Sequence, residues 1–257
     1  MSFYEHVRSD VLRHGAINNS YLTRFQAGDL TETELRAFAI EFYSFARFFP
    51  RILAAQLVNT EDEAVADELT RVLYSELGDG LVQHRHELLY RKFLRSLDID
   101  IHEALNTPMM PATRAYIQGM EALYSSSNHA TALGASFGLE NMAITMWDHL
   151  IPGLTLLKET RHPQMDLTYF TFHRDLESEH EQAMAHAMEA VGGMGCVVNA
   201  RMSASEQKDF CRGMNAVLDY LEGFWMGLER KPFGSVQRRM PSKQQPASMS
   251  ELRGRPQ

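Results

Sequence analysis

The chain is poor in the residues that announce several large protein classes. Of 257 residues only two are cysteine, Cys196 and Cys211, too few and too far apart for a disulfide framework or a Cys-x-x-Cys motif. A reducing cytoplasm is therefore the expected compartment. No run of about 18 uncharged apolar residues occurs, and the opening MSFYEHVRSDVLRHG is polar where a secretion signal would be apolar. The expectation is a soluble protein with no membrane partner. Positive charge is scarce as well: 25 Lys and Arg stand against 33 Asp and Glu, a net charge of −8. From Arg230 onward seven basic residues face the single Glu251, so the preceding residues carry −14 and should repel nucleic-acid backbones.

Also missing is any sustained two-residue alternation of β-branched and aromatic residues, and the apolar period is helical nearly throughout. The sequence predicts an all-α protein with one domain over residues 1–230, followed by a basic tail, 231–257, whose Pro, Ser, Gln and Arg content predicts disorder. Helices are expected over about 4–18, 31–58 with a kink at Pro50, 61–76, 86–97, 111–125, 128–149, 166–191 and 203–229. Thr31 with Glu34 reads as a capping box, Ser127 or Asn128 as an N-cap, and Pro152-Gly153 as a stop signal.

What the chain does have is histidine, 11 in all, the commonest metal ligand and a costly group to bury alone. In YFTFHRDLESEHEQAM a helical wheel puts His173, Glu177 and His180 within about 60° of one another, while Asp175, Glu179 and His186 point elsewhere. Two imidazoles and a carboxylate on one stripe suit iron, manganese or zinc, although a solvated face of ion pairs would read the same way. Glu140 is the only ionisable side chain between Thr131 and Trp147, so it predicts a buried carboxylate in need of a metal or a cation. Glu76 and His86 lie about 80° apart on a straight helix, so they converge only if Gly78-Asp79-Gly80 unwinds. His84 would point about 200° away from His86, which the apolar stripe of Leu89 and Phe93 favours. Glu41, an acid among apolar neighbours, is a fourth candidate, with pairing to an Arg such as Arg47 as its alternative. Phe42, Phe45, Tyr169 and Phe172 are candidates for a pocket wall as well as for plain core.

The order and spacing of ELGDG…HRHEL, GLE on an apolar helix and YFxxHxxxExxH resemble the haem-oxygenase-like di-iron oxidases and oxygenases, over about residues 30–228. The resemblance implies a bundle of about seven helices in which Glu76, His86, Glu140, His173, Glu177 and His180 bind two ferrous ions, with O2 as co-substrate. Glu177 departs from the Asp usual in that family. The ten-residue step from Glu76 to His86 is similar to the branch that oxygenates nitrogen, which recruits an extra carboxylate, here Glu41. A small amine or amino-acid-like substrate is implied, oxidised by N-oxygenation or carbon–carbon cleavage. A homodimer and an external electron donor are compatible with it. Three rivals share the fold: a haem binder using His14 with Gly134 and Gly138, a thiaminase-like hydrolase needing a Cys nucleophile, and a helical interaction protein.

Overall fold

The computed structural model describes residues 3–176 and 202–230, and every regular element among them is helical. The chain runs through α1 (Phe3–Arg13), α2 (Ser20–Gln26), α3 (Glu32–Val58), α4 (Glu63–Glu76), a short 3-10 turn (Val82–His84), α5 (His86–Ser96), α6 (Ile101–Asn106), α7 (Pro111–Tyr124) and α8 (His129–Thr160). Helical residues 168–176, here α9, and α10 (Ala204–Arg230) complete it. Glu177, His180 and Cys196 lie outside the described residues, as does the basic tail.

Local chemistry starts most of these helices where the sequence says it should. The Thr31 hydroxyl accepts from the Glu34 amide at 3.2 Å and the Glu34 carboxylate accepts from the Thr31 amide at 2.8 Å, so two otherwise unpaired groups at the start of α3 are satisfied together. Asn128 caps α8 through the Thr131 amide, and Pro111 supplies the first turn of α7.

Three expectations about boundaries need correction. The first helix ends at Arg13 rather than near residue 18, because Asn19 caps a separate α2 through the Leu22 amide. Helix α6, capped by Asp100, is too short for its period to register. The third correction is larger. Helix α8 does not stop at Pro152-Gly153 but runs through to Thr160. Gly153 lies so close to α2 that a methyl group on it would come within 1.9 Å of the Phe25 carbonyl, so the glycine serves a helix contact rather than a helix end. Helix α3 likewise continues past Pro50.

Helix α8 forms the long wall of the bundle, with α10, α7, α2 and α1 packed on it, while α3 packs against α4, α5, α6 and α7. The core between them is aromatic. Phe42 on α3 touches the rings of Phe38, Tyr90, Trp147, Tyr169, Phe224 and Trp225, so five helices meet at one side chain. Among the described residues no helix is long and apolar enough to cross a membrane.

Candidate metal centre

Beside that aromatic core the end of α4, the start of α5 and α9 bring three polar side chains together. The backbone that joins α4 to α5 makes the meeting possible: Gly78, Asp79 and Gly80 all adopt positive φ, at 92°, 52° and 81°. A left-handed run of three residues reverses the chain, so Glu76 and His86 face each other as no straight helix would allow. At Gly78 the requirement is strict, since a methyl group would lie 2.4 Å from the Leu81 carbonyl and 2.7 Å from the Arg85 nitrogen.

Glu76, His86 and His173 are 8%, 2% and 7% exposed. Each offers one ligand atom within 4.8 Å of the others. His86 Nδ1 sits 3.0 Å from one Glu76 oxygen, and His173 Nε2 sits 3.8 Å from the other. His173 Nδ1 donates to the Tyr169 carbonyl one turn earlier, at 2.6 Å. That bond orients the ring with Nε2 aimed at the Glu76 carboxylate, the atom it would offer a metal.

His86 is the more telling case. Among the described residues neither of its buried ring nitrogens makes a hydrogen bond, for the approach of Nδ1 to Glu76 is close but not aligned as one. A buried imidazole with no partner is costly, and a metal ion placed between the three ligand atoms satisfies it. Burial alone would push the Glu76 carboxyl up, but the two imidazoles overcome it and hold the group down at about 2. The carboxylate is thus ionised and ready to ligate.

Glu140 on α8 lines the same cavity, partly buried and with no hydrogen bond to a described residue. It stands outside ligating distance of the other three. Burial, with a smaller push from Glu68, raises its carboxyl to about 7. Glu41 does not line the cavity; its carboxylate accepts from the Met110 amide at 3.1 Å, at the N-terminus of α7. That contact sets the carboxylate at a helix N-terminus, whose partial positive charge favours it. His84 is exposed. Glu177 and His180 follow directly on α9 but lie outside the described residues.

The cavity, about 850 Å³ including its mouth, has walls from α3, α4, α5, α7, α8, α9 and α10. Phe42, Phe45 and Tyr169 line it as candidates, whereas Phe172 lies at the edge of the His86 ring, 5.2 Å between centroids. Sequence reading missed Trp147, Ser75 and Tyr116, which also line it. Trp147 was within reach, because it follows Glu140 by seven residues and so shares its face of α8.

The features nominated for haem are occupied elsewhere. His14 Nδ1 accepts from the Ala16 amide and Nε2 lies 3.3 Å from Asp219. Gly134 and Gly138 face α10 instead of a cofactor: a methyl on Gly134 would meet the Phe210 carbonyl at 2.0 Å.

Comparison with known proteins places this geometry in context. A family model described as iron-containing redox enzyme matches residues 36–218. The 4-aminobenzoate synthase of Chlamydia trachomatis is 22% identical over 181 residues, which cover 70% of this chain and 76% of that protein. Among solved structures, a CADD-like protein of unknown function from Nostoc punctiforme superposes with a TM-score of 0.69 at 18% identity, covering 88% of this chain and 95% of the other. A Shewanella denitrificans domain of unknown function, described as having a heme oxygenase-like fold, gives 0.63 at 16% identity and 88% of each chain.

Proposed function

Because the chain belongs to the family of iron-containing redox enzymes, we propose that it is a non-haem di-iron, O2-dependent oxidase or oxygenase acting on a small amine. The observation that carries this reading is the buried Glu76–His86–His173 cluster with both nitrogens of His86 unpaired. Those three residues would hold one iron. Glu140, with Glu177 and His180 of the segment that follows in sequence, would hold the second. When bound, a pair of ferrous ions supplies the electrons and open coordination positions that activate O2.

The chain's own residues do the rest. Glu76 brings a carboxylate that remains ionised despite burial, and two imidazoles whose positions are set by the α4–α5 reversal and by the Tyr169 carbonyl. Glu140 accepts or releases a proton near neutrality according to whether a cation faces it. The aromatic wall formed by Phe42, Phe45, Trp147 and Tyr169 keeps bulk water from the reacting groups. An external electron donor and a homodimeric assembly fit the proposal without being required by it.

A thiaminase-like hydrolase needs a cysteine in the cavity. Cys211 on α10 is not in its wall, and burial pushes its thiol up, away from the nucleophilic form, while Cys196 lies outside the described residues. Anaerobic loading with ferrous iron, metal counting and rapid mixing with O2 test the assignment. Two irons per chain and a transient visible band are expected; iron content unchanged in both His173→Ala and Glu140→Ala overturns it.

A further inference from the structure

Acids outnumber bases in this chain by 33 to 25, and arginines on several elements find a carboxylate. Arg24 pairs with Glu34, Arg36 with Glu103, Arg161 with Glu32 and Arg174 with Asp148. Three arginines gathered at one place do not. Among the described residues Arg47 and Arg51 on α3 and Arg114 on α7 form no ion pair and no hydrogen bond, and the Nε of Arg47 is buried. Like charges four residues apart on a helix repel, so Arg47 and Arg51 are unfavourable neighbours until an anion joins them. Both guanidinium groups lie over the Phe48 ring, 4.6 and 5.8 Å from its centroid, a contact that favours the cations without neutralising them.

A second cavity, about 630 Å³ including its mouth, opens at this place between α3 and α7. It shares no lining residue with the metal cavity. Phe48, Ile52, Met109 and Ile117 give it an apolar floor, and Arg51 and Arg114 stand in its wall. Its one acid among the described residues is Glu121, roughly 10 Å along α7 from Arg114, so the cations are in excess. Arg51 and Arg114 are exposed and free to turn toward a ligand, and a guanidinium presents paired N–H donors that match two oxygens of a carboxylate or phosphate. An inorganic anion would leave the apolar floor wet, and a hydrocarbon would leave the arginines without a counter-charge. Both features are used only when one molecule carries an anionic head and an apolar body.

We propose that the α3–α7 cavity is a second ligand site, for a small organic anion whose carboxylate or phosphate head is held by Arg51 and Arg114 and whose apolar body lies on Phe48, Ile52 and Ile117. The site needs no metal and stands independently of the di-iron reading. It is nonetheless next door to the metal cavity: Phe49 and Tyr116, the sequence neighbours of Phe48 and Ile117, line that chamber, so the two share the α3–α7 wall.

Four probes with one alkyl body test it: hexanoate, hexyl phosphate, hexanamide and hexylamine. Their binding is measured by calorimetry on the full-length protein free of metal, where no iron competes for the head. The better of the two anions is expected to bind at least about tenfold more tightly than the amide or the amine, and which anion it is identifies the head. Arg51→Gln and Arg114→Gln should each weaken that anion about three- to tenfold, and added sodium chloride should weaken it in the parent. His173→Ala, in the other cavity, should leave its affinity unchanged. Amide or amine binding as tightly as the anions overturns the proposal, and so does anion affinity unchanged in both arginine variants. If neither anion binds and both variants lower the melting temperature, the arginines already answer to an acid of the chain itself, and the proposal fails.

Discussion

Among the described residues two clusters of histidine and acid could hold a metal, and they differ in burial and in unmet hydrogen bonding. Glu76, His86 and His173 are all buried. His14, Asp219 and Glu222 come equally close together, but His14 is 18% exposed, Asp219 71% and Glu222 41%. The difference lies in what water and the backbone already provide. His14 has one nitrogen engaged by the Ala16 amide and the other beside a solvated carboxylate. Nothing is left unsatisfied, so the outer cluster is a surface ion pair joining the end of α1 to α10. The inner cluster holds an imidazole that makes no hydrogen bond among the described residues, a demand that a ligand would meet. Residue types alone do not make a site; unmet demand under burial does.

The comparison can be broken in four ways. The largest effect is expected from His86→Ala and His173→Ala, which should lower iron affinity by about 100-fold or more, whereas His14→Ala should leave the metal content seen by elemental analysis unchanged. Iron loss in His14→Ala would collapse the distinction.

The connection that brings the inner cluster together should be nearly as sensitive. Gly78→Ala forces a side chain into a positive-φ position against the Leu81 carbonyl and should cost about 1–3 kcal/mol while displacing His86. Gly223→Ala on α10, whose new methyl would meet nothing within 4 Å, should instead stabilise by up to about 1 kcal/mol. Denaturant melts of the two variants provide the contrast.

Glu140 yields an effect of opposite sign in the two states of the protein. Its carboxyl rises from 4.5 to about 7 on folding, so between those values the metal-free native chain keeps a proton that the unfolded chain has lost. Stability therefore falls as pH rises through that window. Metal-free Glu140→Gln should be more stable than the parent by about 1–3 kcal/mol at pH 8, with the gap closing below pH 4.5, yet should bind less iron. Thermal melts across pH, with and without ferrous iron, read both effects. The smallest effect belongs to the outer cluster itself, where His14→Ala should cost no more than about 1 kcal/mol.

Much of this was legible in the sequence where a local rule operates. The capping box at Thr31, the cap at Asn128 and the helical period fixed most elements, because each depends on residues three or four apart. The convergence of Glu76 on His86 was also legible, since two glycines flanking Asp79 are what a left-handed reversal requires. The rest depended on distant partners. Pro152-Gly153 reads as a stop until Phe25 is seen to occupy the space beside it. Nothing near Glu41 in the sequence announces the Met110 amide, 69 residues away, from which its carboxylate accepts. Ser75 and Trp147 carry no motif at all; what marks them is a hydrogen bond that is not made, and a sequence cannot display that.

The contact between α8 and α10 has a further consequence for the metal centre. Gly134 lies six residues, roughly 9 Å along the axis, before Glu140. With a carbonyl of α10 pressed against it, the seam works as a fulcrum that sets the height and tilt of everything beyond it on α8. A single methyl added at position 134, about 120° around the helix from Glu140, would lever Glu140 and Trp147 together out of alignment with His173. The geometry of the cavity wall is held from behind, by an atom that is not there.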